Sequence, residues 1–311
     1  MDASEIDALR VIVDDQTRAG IAAILVGMMF TVALALRVED FKAVRREPVR
    51  IAGGVAAQIL GLPLVTLLLV ILISPPASIA LGMIVVASCP GGNVSNLLTH
   101  FARGNTAYSV SLTTISSVSA AIATPISIML WSSLYPPTAA LVHRLDIDPA
   151  PFIVQTVLLL ALPLAAGMTV AALWPRTAQR MRKVLMPLAM GGLILLIAVG
   201  TVQNWFIVTA VGAIVIPVAV MHNAAAFGLG AVAGRVMRLD VSHRRALTFE
   251  VGIQNSGLGL LILLGQFDGL GGAAAITGIW GIWHIVSGSA LIGLYRATDW
   301  LKLRRTKHTA P

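Results

Sequence analysis

An all-α polytopic membrane protein of about nine transmembrane helices is the fold that this sequence predicts, and three observations predict it. Hydrophobic residues make up 57% of the 311-residue chain and charged residues 12%. With a mean hydropathy of +0.86, the chain stands far from the soluble average and leaves no room for a separate soluble domain. Apolar stretches close to the roughly 20 residues that cross a bilayer recur from end to end. The basic residues fall on alternate connections between those stretches, as the positive-inside rule requires of a multi-pass protein.

Taken in order, residues 1–19 carry Asp2, Glu5, Asp7, Asp14 and Asp15, so they read as a polar, amphipathic lead-in and neither as a signal peptide nor as a span. Spans are expected at 20–36, 49–73, 76–101, 104–133, 151–174, 183–203, 205–232, 243–267 and 272–296, followed by a basic tail at 297–311. The second holds a lone amide, Gln58, five residues before Pro63. The third contains Cys89-Pro90-Gly91-Gly92-Asn93-Val94-Ser95-Asn96, where a proline followed by two glycines interrupts a helix and frees backbone groups. In the fourth, Ser109 and Thr113 share a helix face, which serves equally for bonding back to the preceding turn. The seventh carries His222-Asn223 and the ninth Trp283-His284-Ile285-Val286-Ser287-Gly288; a neutral histidine in an apolar helix is usually a satisfied hydrogen-bonding residue.

The eighth span contains Glu250-Val251-Gly252-Ile253-Gln254-Asn255-Ser256-Gly257, and Glu250 is the one acidic residue inside a predicted span. A carboxylate at bilayer depth is expensive unless it is paired or lines a wet cavity, so it marks a functional site. Hydroxyl and amide oxygens beside it suit a small hard cation, and the glycines allow broken helix whose carbonyls add ligands. Glu250 also lies shortly after Arg244 and Arg245, so snorkelling to the interface is the competing reading.

Connections that alternate sides place Arg37, Lys42, Arg45, Arg46, Arg50, Arg103, the group from Arg176 to Lys183, the group from Arg235 to Arg245, and the cations from Arg296 onward on one side; Arg10, Arg18 and Arg144 remain on the other. This partition predicts an odd number of spans in a cell membrane, with the N-terminus outside and the C-terminus cytoplasmic. The formal charge of +8 is thus an orientation signal. No basic run with interleaved aromatics falls in a soluble domain, which excludes nucleic acid as a partner. Cys89 is the single cysteine, so it forms no internal disulfide and no thiol metal site. No aspartate falls inside a span and no nucleophile elbow is present, so the chain does not read as an enzyme.

The broken third and eighth spans are five apart and cross in opposite directions, the pattern of an inverted-topology repeat with its sites near the midplane. On that reading 20–133 forms a first repeat of four helices that lacks its opening helix, and 151–296 a second of five. Packing glycines and serines would produce some of the same pattern.

The motifs Cys-Pro-Gly-Gly-x-x-Ser-Asn at 89–96, Ala102-Arg103-Gly104-Asn105, Glu-Val-Gly-x-Gln-Asn-Ser-Gly at 250–257 and Trp283-His284 with Ser287-Gly288 resemble the bile acid:sodium symporter family, specifically its bacterial members. The resemblance covers about residues 20 to 296. It implies two inverted repeats arranged as a panel domain and a core domain, with two broken helices crossing in the core. It implies two Na⁺ sites sharing the acid: one of Ser95, Asn96, Ser109, Thr113 and Glu250, the other of Gln58, Glu250 and Gln254 with the carbonyls of Val251 and Ile253. Asn93, Asn255 and His284 would face substrate. Asn93 and Ile285 stand where bacterial relatives carry threonine and asparagine, which alters the polar groups a ligand can satisfy.

The function implied is sodium-coupled symport of an organic anion, bile-acid-like or a small carboxylate, by alternating access in the lipid bilayer. Proton coupling through Glu250, and a non-transporting receptor, are the alternatives.

Overall fold

A computed structural model of the chain describes residues 2–11, 14–36 and 46–308, and among them every regular element is a helix. Arg37, Lys42 and Arg45 of the predicted basic connection lie outside the described residues. Seven helices are long and apolar enough to cross a membrane, and the chain is a multi-pass membrane protein. They are α2 (Asp15–Ala33), α3 (Pro48–Ile73), α6 (Thr106–Leu134), α8 (Pro149–Leu173), α9 (Pro175–Gln203), α10 (Trp205–Val236) and α13 (Gly271–His308). The predicted third and eighth spans are each two shorter helices. The third is α4 (Ala77–Ser88) and α5 (Asn93–Phe101), and the eighth is α11 (Val241–Gly252) and α12 (Ser256–Gln266). Short α1 (Ala3–Ala8) and α7 (Pro136–Arg144) complete the order.

Polar caps set several starts. Asp14, Asn105, Asp148 and Asp240 each accept a hydrogen bond from a first-turn N–H, which supplies a partner to a donor that the helix leaves unmade. Burial alone would raise the Asp240 carboxyl, but hydrogen bonds from Ser242 and His243 outweigh it and hold the group well below the usual carboxylate range. That cap is therefore complete above the ordinary carboxylate pKa and fades only as acid protonates Asp240. Within α3, Pro63 has no N–H for the carbonyl of Ile59 and its ring crowds that oxygen. The helix widens into a π-helical stretch over Ala57–Gly61, with Leu62 N–H bonded to the Ala57 carbonyl. Such bulges recur at functional positions, and this one carries Gln58.

Burial separates the elements. All twelve residues of α4 are buried, and α11 and α12 are nearly so, whereas only 6% of the apolar window of α9 is. On α3, Leu64, Leu68 and Leu72 stand exposed at four-residue intervals. A soluble protein does not display such stripes, and lipid covers them in a membrane protein. The helices α2, α8 and α9 pack on one another, while α10 packs on α11 and α13. At the end rich in basic residues, Arg245 donates to Asp299 at 2.9 and 2.5 Å and to the Ala102 carbonyl at 2.9 Å, and it lies over the Tyr295 ring.

Both termini carry ordered structure. The lead-in is part of the core: Ile6 is buried, Asp7 accepts from the N–H groups of Ala77 and Ser78 at the start of α4, and Gly271 N–H bonds to the Leu9 carbonyl. Because Asp14 caps it, α2 starts at Asp15, before the predicted residue 20. The basic stretch that starts at residue 297 begins within α13, which runs on to His308. No glycine or proline follows Gly293 until Pro311, and positive charge near a helix C-terminus suits the helix dipole.

Candidate functional site

Pro90 cannot extend α4; Cys89 and Gly92 are extended, and the chain crosses between them to α5. On the other segment α11 ends at Gly252, Ile253 is extended, and Asn255 starts α12 by accepting from Leu258 N–H at 3.1 Å. The two breaks meet antiparallel, with Gly91 opposite Gln254. Gly92 N–H donates to the Ile253 carbonyl at 3.1 Å and Asn255 N–H to the Pro90 carbonyl at 2.8 Å. Each interruption thereby satisfies backbone groups freed by the other, the condition for irregular backbone at membrane depth. Asn223 on α10 adds a donor to the Gly252 carbonyl at 2.8 Å and itself accepts from Ser287 of α13 at 2.6 Å. The sequence marks Asn223 only as the neighbour of His222 and Ser287 only as part of the motif around Trp283-His284; nothing in it assigns them this bracing.

Glu250 points into this crossing and is fully buried, which decides against snorkelling. Its Oε2 accepts from Ser95 at 2.7 Å, Thr113 at 2.9 Å and Ser109 at 3.2 Å, and its Oε1 stands 2.8 Å from Thr113 Oγ1. Thr113 has one hydroxyl proton. Four acceptors lie around its Oγ1: both Glu250 oxygens, Asn96 Oδ1 at 3.3 Å and the Ser109 carbonyl at 3.1 Å. Acceptor oxygens therefore outnumber the protons available. Among the described residues no arginine, lysine or histidine pairs with Glu250.

On the other flank, Gln58 Nε2 donates to the Glu250 carbonyl at 3.2 Å and approaches Gln254 Oε1 at 3.5 Å, and Gln254 Nε2 donates to the Val251 carbonyl at 2.8 Å. Gln58 Oε1 is buried without a hydrogen-bond partner, which is costly for a polar atom and leaves a lone pair for a ligand. The Val251 and Ile253 carbonyls are both engaged, by Gln254 and by Gly92. Gly91 closes the site, because a Cβ there would overlap Glu250 Oε1 and stand 2.8 Å from Gln58 Nε2.

This donor set fits a small hard cation. It offers one carboxylate, several hydroxyls, amides and carbonyls, and no group of three histidine, cysteine or acidic residues among the described residues. A single full negative charge suits a monovalent ion better than a divalent one, which usually takes more carboxylates. Cys89 is buried and packs as a small apolar side chain in the core.

Beside Thr113 and Asn96 a cleft of about 570 Å³ extends to His100, Thr106 and Arg182. Asn93 and Arg182 both line it. Asn255 is half-buried and serves as the α12 cap. His284 does not line this cleft: it is 4% exposed, with its ring against Trp280. In the sequence Arg182 is only one of four clustered cations; nothing in the local pattern separates it from Arg176, Arg180 and Lys183.

The sequence profile of the group described as the Sodium Bile acid symporter family matches residues 22–230. An uncharacterized sodium-dependent transporter, YocS, of Bacillus subtilis (strain 168) is 32% identical over 280 residues, covering 90% of this chain and 82% of YocS. The probable sodium/metabolite cotransporter BASS1, chloroplastic, of Arabidopsis thaliana is 29% identical over 280 residues, which cover 90% of this chain and 66% of that protein. A sodium-dependent organic anion transporter of Mus musculus is 31% identical over 182 residues, covering 58% of this chain and 47% of that one.

Proposed function

Because the chain belongs to the sodium bile acid symporter family, we propose that it is a secondary transporter that moves an organic anion with Na⁺ by alternating access. The observation that carries this reading is a buried carboxylate ringed by three hydroxyls, with no paired cation among the described residues, where two broken helices exchange backbone hydrogen bonds. One Na⁺ is held by Ser95, Asn96, Ser109, Thr113 and Glu250. A second is held by Gln58, Glu250 and Gln254 with the carbonyls of Val251 and Ile253, once the Gln254 amide turns to present its oxygen. The unpartnered Gln58 Oε1 supports this second site.

Each broken pair counts as one crossing, which with the seven long helices makes nine spans in two inverted repeats, at 20–133 and 151–296. The helices α2, α8 and α9 form the panel and the remaining spans the core. The basic end faces the cytoplasm of a cell membrane, with the N-terminus outside. Sodium couples to substrate through the crossing. Asn93 follows Gly92, and Asn255 follows Gln254 in the opposing break. Ions that order this backbone therefore order both amides, and by reciprocity bound substrate tightens ion binding. His284, buried against Trp280 on α13, would reach substrate only once that ring is uncovered.

In the cleft, Arg182 on the panel faces Asn93, Asn96 and Thr113 on the core. It supplies the charge that an anion requires, and the surrounding amides and hydroxyls favour a small carboxylate over a sterol skeleton, which would leave them unpaired. Purified protein is expected to bind radiolabelled sodium saturably, with excess potassium failing to displace it; equal displacement by potassium would count against sodium coupling and favour proton coupling. Arg182→Ala is expected to raise the KM for a transported carboxylate roughly tenfold, the value of one lost charge-assisted hydrogen bond, while sodium binding persists. An unchanged KM would remove Arg182 from the substrate path.

A further inference from the structure

A second concentration of positive charge lies away from the ion site, at the basic end, where α10, α11 and α13 converge. A cleft of about 330 Å³ is lined there by Arg235 of α10, Arg244 and Arg245 of α11, and Tyr295 and Thr298 of α13. Asp299 neutralises Arg245. Arg235 and Arg244 have no carboxylate within ion-pair distance among the described residues. Both line the same cleft, and Arg244 packs its stem against Gly234, the residue before Arg235, where a Cβ would stand 2.9 Å from Arg244 Cγ. Two unpaired guanidinia beside a third repel one another, and an anion between them relieves that cost.

Apolar surface adjoins this charge. Val241 and Leu294 line the cleft and are 48% and 58% exposed, and Val232 and Val236 on the neighbouring turn of α10 are 54% and 76% exposed. Guanidinium forks match phosphate oxygens, while an apolar apron suits acyl chains. Basic pockets between spans on the cytoplasmic side meet anionic headgroups. We propose that this cleft binds the phosphodiester headgroup of an anionic membrane lipid, with Arg235 and Arg244 as its ligands. This assignment is independent of the sodium site.

The test is lipid binding to the purified full-length protein in detergent, read by native mass spectrometry during titration with dioleoylphosphatidylglycerol. Dioleoylphosphatidylcholine and inorganic phosphate serve as the comparison probes. The expected result is one preferentially bound phosphatidylglycerol, with affinity falling roughly tenfold or more in the double variant Arg235→Ala with Arg244→Ala. A second double variant, Arg235→Lys with Arg244→Lys, keeps the charge and protects against loss of fold. It is expected to weaken binding several-fold, because lysine lacks the planar fork. Wild-type affinity in both double variants would overturn the site. Equal occupancy by phosphatidylcholine would overturn the requirement for an anionic lipid, and displacement of the lipid by equimolar inorganic phosphate would overturn the assignment to a lipid.

Discussion

Glu250→Gln is expected to abolish sodium-specific stabilisation and sodium-driven uptake while leaving a folded protein. Glutamine keeps the volume of the side chain and removes its charge. Ser95, Ser109 and Thr113, which all face the carboxylate, can rotate their hydroxyls to donate to the new amide oxygen or accept from its nitrogen, so packing survives. The cation loses the one full negative charge that offsets its dehydration in a buried site. For the native chain, a sodium concentration a hundred times Kd stabilises the folded state by about 2.7 kcal/mol, seen as a higher Tm in NaCl than in KCl. In the variant the two salts are expected to give the same Tm. A persistent sodium-specific shift would show that the ion is held elsewhere, and the proposed sites would have to be abandoned.

Gly91→Ala should do comparable damage by a different route. The added methyl would overlap Glu250 Oε1 and press on Gln58 Nε2. Neither group can withdraw, since the carboxylate is held by three hydroxyls and Gln58 sits in the π-helical stretch that Pro63 imposes. Overpacking of this kind costs about 1–3 kcal/mol, and here the displaced groups are the proposed ion ligands. Both a lower Tm and loss of its sodium dependence are expected. Gly53→Ala is the control: its new methyl meets only the flexible end of Met237, and it should leave the sodium response intact. If Gly91→Ala behaved like Gly53→Ala, the tight closure around Glu250 would be refuted.

Much of the site is legible in the sequence, because a membrane makes polar residues expensive. A lone carboxylate in an apolar segment, and a proline followed by two glycines in another, have few structural excuses at bilayer depth. Gln58 and the Ser109 and Thr113 face are harder. An isolated amide or hydroxyl on a helix bonds locally as readily as it binds a ligand, and only the family resemblance raises them. The structure brings all three to Glu250. For His284 the family motif implies a substrate contact, and its ring lies buried against Trp280.

The chain's composition and periodicity by themselves determined that this is a helical multi-pass membrane protein, where its helices break and which acid is buried. Those properties follow from the local cost of placing polar groups and prolines in hydrocarbon, so they can be read one segment at a time. Tertiary structure alone decided that the two breaks pair antiparallel, that Asn223 and Ser287 brace the second break, that the polar N-terminal lead-in caps α4, and that Arg182 faces a cleft. Each of these depends on which side chains from distant segments meet. That is set by packing and by mutual hydrogen-bond satisfaction, for which the chain leaves no local signature.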